Sequence, residues 1–128
     1  MTVDALDTPS TVLVVEGYDD LREALVALLV LEGYTVLSVA TAMQALEVLT
    51  RLPRRPCLVL LSLMLRNPED QAFLSRLRAL EPAPRPPVLA LTADPDLQAP
   101  LPGTVGLLGK PVRTEVLLAA VERYRARP

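Results

Sequence analysis

Five short aliphatic runs, at 11–15, 35–39, 57–63, 88–92 and 105–108, alternate with segments of helical periodicity, and this alternation restricts the chain more than any other feature. Strands 4–8 residues long separated by helices call for a parallel sheet covered on both faces. The third run, Cys57–Leu63, is apolar nearly throughout, as in strands buried on both sides. The intervening segments carry helix signals. Asp19 or Asp20 is placed to cap a helix whose apolar positions are Leu21, Ala24, Leu25 and Leu28, and Gly33 closes it. Thr41 followed by Gln44 is a capping box for a helix that runs to about Leu52 and stops before Pro53. Asn67-Pro68 reads as an N-cap and first helical position, followed by a stripe at Phe73, Leu74, Leu77 and Leu80. Pro82–Pro87 is an extended connector, and Pro95, Pro100 and Pro102 leave room for at most a short helix over 94–104. Thr114–Arg125 is the closing helix. In sheets of this kind ligands bind beyond the carboxyl ends of the strands. That rule directs attention to Glu16-Gly17, Ser62, Thr92 and Gly109-Lys110.

With 128 residues, one core is feasible: a chain of this size buries roughly two-thirds of its unfolded surface. The expected organisation is a loose leader at 1–10, a domain at 11–125 and a tail at 126–128. Thirteen basic residues against 15 acidic give a net charge of −2, too balanced for binding nucleic acid or anionic lipid by bulk charge. Tyr18, Tyr34, Phe73 and Tyr124 are the only aromatics, too few for base-stacking platforms. The absence of histidine removes the imidazole base and the imidazole metal ligand. Cys57 is alone, so no intrachain disulfide forms and a reducing, cytoplasmic compartment is expected. No apolar run reaches the length of a membrane span, and Met1–Ser10 has no basic start of a signal peptide.

In these places the sequence resembles the receiver domain of two-component response regulators, over roughly residues 11–125. The strings that carry the resemblance are VLVVE and DDLREAL, LEGYTV, LVLLSLML, VLALTA, and GKP followed by LLAAV. It implies a three-layer α-β-α sandwich with flavodoxin-like topology and strand order 2-1-3-4-5. In that family an aspartate at the end of the third strand accepts a phosphoryl group. An acidic pair after the first strand holds magnesium. A hydroxyl residue after the fourth strand and a lysine before a proline after the fifth contact the phosphoryl oxygens. An aspartyl phosphate needs a carboxylate nucleophile, with a hard cation and an ammonium to balance its charge.

Carried over residue by residue, this pocket is degenerate. Ser62 stands where the acceptor aspartate is expected. Glu16 keeps the first acid of the pair and Gly17 replaces the second. Thr92 and Lys110 match, and the Lys110–Pro111 bond is expected to be cis. Leu107 occupies the place of the family's aromatic switch residue, and the segment from Ala93 to Lys110 is about one helical turn short.

Each candidate also has a structural reading. Without histidine, Ser62 has no ordinary proton-accepting partner, so an inert polar replacement is favoured over a nucleophile or a kinase target. Asp20 lies at a helix start, where dipole pairing or capping accounts for it better than magnesium does. Gly103, Gly106, Gly109 and Lys110 fail the phosphate-loop spacing, since Thr104 and Pro111 stand where glycine and Ser/Thr are required. Arg51, Arg54 and Arg55 read as a solvated helix end. Lys110 is the one lysine among 13 basic residues, and a compact ammonium is not replaced by arginine's planar fork. An ion pair of Lys110 with Glu16 is expected.

The functional expectation is a non-enzymatic, atypical receiver that acts by binding protein partners of a bacterial-type signalling pathway, independently of phosphorylation, with no metal and no cofactor. Two alternatives stand beside it: a flavodoxin-like domain binding a small ligand in the same crevice, and a receiver regulated through phosphorylation of Ser62. The first helix carries Val26 and Val30 beside its core stripe, and the closing helix carries Val116 and Leu118 beside Leu117 and Val121. Helices apolar beyond one stripe are usually covered. A homodimer or partner contact through the side formed by these two helices is therefore expected.

Overall fold

The computed structural model describes residues 10–63, 68–80, 85–94, 96–97 and 101–125. Asn67, Pro95 and Pro100, and nearly all of the leader and the tail, lie outside them. Five parallel strands, β1 (Thr11–Val15), β2 (Thr35–Val39), β3 (Leu58–Ser62), β4 (Val88–Thr92) and β5 (Gly106–Gly109), form one sheet in the order β2-β1-β3-β4-β5. The helices are α1 (Asp19–Leu31), α2 (Ala42–Arg51), α3 (Pro68–Arg78) and α4 (Thr114–Glu122). This is the expected flavodoxin-like topology.

Strand alternation sorts the core into two layers. Val12, Val14, Leu58, Leu60, Leu89 and Leu91 point to the side covered by α1 and α4, where they meet Leu25, Leu29, Leu117 and Val121. Leu13, Val15, Val59, Leu61 and Val88 point to the other side, where they meet Ala45 and Leu49 of α2 and Phe73, Leu74 and Leu77 of α3. β3 and β4 are buried along their whole length, which accounts for their unbroken apolar sequence. Each fully buried Leu or Phe in these layers contributes about 1.5–3 kcal/mol of transfer free energy.

Local signals set the element ends. At α2 the capping box forms: Gln44 N–H donates to Thr41 Oγ1 at 3.1 Å, and Thr41 N–H donates to Gln44 Oε1 at 3.2 Å. After α1, Gly33 takes φ +94°. Its N–H donates to the Val30 carbonyl, and the Tyr34 N–H donates to the Leu29 carbonyl. That pair of bonds needs a residue in the left-handed region, which glycine enters without a Cβ penalty. Arg55 donates to the Leu49 carbonyl at 2.9 Å, so at least this arginine serves the end of α2.

Several expectations are corrected. Tyr18 is the N-cap of α1, without a side-chain bond, and Asp19 and Asp20 lie in the first turn. The stripe of α1 is Leu25 and Leu29 flanked by Leu28, while Leu21 is 36% exposed and Ala24 is also exposed. The helix is therefore rotated from the phase suggested by Leu21, Leu25 and Leu28. Leu29 reaches the strands four residues after Leu25. β3 stops at Ser62, β5 spans Gly106–Gly109, and α4 ends at Glu122. Between β4 and β5 the described residues contain no helix, consistent with the proline count there.

Candidate functional site at the carboxyl ends of the strands

The registers bring the candidate residues to one edge. Val15 pairs with Leu61, so Glu16 and Ser62 follow on adjacent strands in the same step. Ser62 pairs with Leu91, and Thr92 pairs with Gly109, which places Lys110 one residue beyond β5. Counting in twos along each strand, Glu16, Ser62 and Lys110 fall on the α1/α4 side of the sheet, and Thr92 falls on the α2/α3 side.

Glu16 is the centre of this edge. It is 1% exposed, and burying a carboxylate is costly unless donors surround it. Its Oε1 accepts from Lys110 Nζ at 2.8 Å and from Ser62 Oγ at 2.5 Å. Its Oε2 accepts from the Tyr18 N–H at 3.0 Å. Burial by itself would raise the Glu16 carboxyl. The hydrogen bonds from Lys110, Ser62 and Tyr18, with the Lys110 charge, outweigh it and hold the pKa below the ordinary 4.5. The Lys110 side chain is 17% exposed, so this ion pair is shielded from water on both sides. Lys110 is further fixed by its own N–H, which donates to the Thr92 carbonyl at 2.6 Å, and its bond to Pro111 is cis as expected.

Thr92 is buried, and its Oγ1 accepts from the Asp94 N–H at 3.0 Å, closing a small turn after β4. Gly17 is exposed beside Glu16. Leu107 is half-buried in β5 opposite Ala90. Arg22 joins the site although nothing in its sequence position singled it out. Its guanidinium donates to the Glu16 carbonyl at 2.9 Å and to Asp19 Oδ1 at 2.6 Å. Two cations thus bind Glu16, one at its side chain and one at its main chain. Among the described residues, no buried side-chain nitrogen or oxygen lacks a partner.

A divalent cation does not fit this arrangement. Magnesium asks for several oxygen ligands in octahedral geometry, mostly carboxylates and water. Of Glu16, Gly17, Ser62, Thr92 and Lys110, only Glu16 is acidic, and both its oxygens are taken by donors. Among the described residues no three Asp, Glu or Cys side chains converge as a metal centre would require.

The candidate contact residues divide. Val30 is 54% exposed and Val116 42% exposed, on α1 and α4. Val26 is half-buried, and Leu118 packs against the core layer of that side, so Leu118 belongs to the margin of the core. No described helix is long and apolar enough to cross a membrane.

The chain is similar to known proteins over nearly all its length. The family model for the response regulator receiver domain matches residues 12–122. A CheY-like receiver domain from Methylobacillus flagellatus superposes with a TM-score of 0.77 at 21% identity, covering 92% of this chain and 100% of that one. The receiver domain of the sensor histidine kinase PA1611 from Pseudomonas aeruginosa, solved with magnesium in its active-site cleft, gives 0.77 at 27% identity, covering 91% and 97%. A response regulator from Thermotoga maritima gives 0.72 at 26% identity, covering 91% and 97%. No curated protein matches the chain.

Proposed function

Because the chain belongs to the response regulator receiver family, we propose that it serves two-component signalling as a protein-binding module whose pocket takes up no phosphoryl group. The observation that carries this reading is the closed set Lys110–Glu16–Ser62 at the strand ends, with bonds of 2.8 and 2.5 Å to one carboxylate oxygen. A receiver switched by phosphorylation needs a free carboxylate nucleophile on β3 and a cation beside it. Here the β3 position holds Ser62, whose hydroxyl donates to Glu16. The ammonium of Lys110 neutralises Glu16, and Arg22 holds its carbonyl. The Glu16 carboxylate is thus satisfied from within the chain, and the module is non-enzymatic. Ser62 is also a poor kinase target, since it is buried.

The contact surface in this reading is the α1/α4 side around Val30 and Val116, and its occupant is a protein of the signalling pathway or a second copy of the chain. Titration with beryllofluoride and magnesium, followed by NMR amide shifts, tests the pocket. The expected result is no saturable shift at Glu16, Ser62, Thr92 or Lys110. Saturable shifts there would contradict the reading.

A further inference from the structure

A groove of about 610 Å³ lies between α1 and α4, on the same side of the sheet as Glu16 and Lys110. That volume lies in the range of small-molecule sites, which are mostly apolar with a few placed polar groups. Buried Leu25, Leu91 and Leu117 line it, with half-buried Leu28. Only two of its lining side chains carry a polar group, Lys110 and Thr114. They flank the short connection from β5 to α4 and so place the polar groups at one end of an apolar groove.

We propose that this groove binds a small, neutral, largely apolar molecule carrying one hydrogen-bond acceptor. The acceptor follows from the donors. An ammonium has three N–H groups, and Glu16 accepts from Lys110 at 2.8 Å, which leaves donors for a ligand oxygen. Neutrality follows from the charges. The Lys110 charge is already matched by Glu16, and in the first turns of the two flanking helices Asp19 pairs with Arg22 and Glu115 with Arg113, beside Asp20. Lys110 is the one cation among the lining residues and is already paired, so an anionic ligand would add negative charge with no lining cation left to meet it. A small molecule fits better than a protein because, of the exposed aliphatics of these helices, Leu21 lines the groove while Val30, Leu31 and Val116 do not. A stable protein contact buries about 800 Å² on each partner and needs a continuous surface. The inference does not rest on the phosphorylation reading and stands or falls separately from it.

The test is NMR amide mapping of the intact chain with a panel of neutral mono-ketones and amides of about 10–20 non-hydrogen atoms. The expected result is saturable shifts at Ala24, Leu28, Ala93, Val112 and Thr114. Hydrocarbon analogues lacking the carbonyl should bind about tenfold more weakly. Ala24→Phe adds a ring from an exposed lining position and should abolish the shifts without lowering Tm, and Thr114→Val should weaken them while leaving the core untouched. The proposal is overturned if no panel member gives saturable shifts, if neither variant alters them, or if carboxylate analogues bind more tightly than the ketones. Shifts of the same amides with protein concentration alone would also overturn it, since they would assign the groove to a second copy.

Discussion

Glu16 and Lys110 depend on each other, and the cost of separating them follows from their burial. Glu16→Gln keeps the shape and leaves the Lys110 ammonium, which is mostly shielded from water, without its acid. Breaking a buried pair from one side costs several kcal/mol, so a loss of about 3 kcal/mol in urea unfolding is expected. Adding Lys110→Met should restore more than half of it, because the stranded charge is then gone. The lowered Glu16 pKa also sets a pH window. The unfolded carboxyl takes its proton near 4.5 and the folded one at lower pH. The contribution of Glu16 is therefore present in full above that range and is lost as pH falls through the folded value. Unfolding free energies of the Glu16→Gln variant should lack this dependence. Ser62, Thr92 and Lys110 were legible in the sequence because strand ends are legible, and the register alone then brings them to one edge. Arg22 was not. A lone arginine on a helix surface carries no signal, and its reach to the Glu16 carbonyl exists only once α1 has folded back beside β1.

At the scale of elements, the phase of α1 decides which of its leucines matter. Leu29 is fully buried against the strands, whereas Leu21 lies at the rim of the groove. Leu29→Ala should cost about 3 kcal/mol, and Leu21→Ala less than about 1 kcal/mol, measured by denaturant unfolding. The reverse order would mean that the stripe read from the sequence describes the helix better than the packing does. That stripe went astray because α1 is aliphatic at most positions from Ala24 to Leu31, so periodicity alone leaves its rotation open. α2 was legible, since its Thr41–Gln44 box fixes the start and its polar face is distinct. Of the four aliphatics grouped in the sequence reading, Val30 and Val116 are exposed, Val26 is half-buried and Leu118 packs against the core. Val30→Glu with Val116→Glu should leave Tm within a few degrees and weaken association in sedimentation or partner capture. Unchanged association would remove the α1/α4 side as the contact surface.

For the whole molecule, the doubly covered parallel sheet was legible because β3 and β4 are continuously apolar and the helical segments between strands are long enough for crossovers. The strand order came from the family resemblance, and the registers agree with it. Beyond the expected Lys110–Glu16 pair, the sequence could not carry the state of the pocket: that Ser62, Tyr18 and Arg22 also satisfy Glu16 depends on β1, α1, β3 and β5 meeting at one edge. The fold is that of a receiver, and the chemistry at its edge is that of a closed ion pair. Intact-mass measurement of the chain after incubation with acetyl phosphate and magnesium tests this most directly. An unchanged mass is expected, in the wild-type chain and equally in the Ser62→Ala variant. A phosphoryl adduct on the wild-type chain that is lost in Ser62→Ala would contradict it.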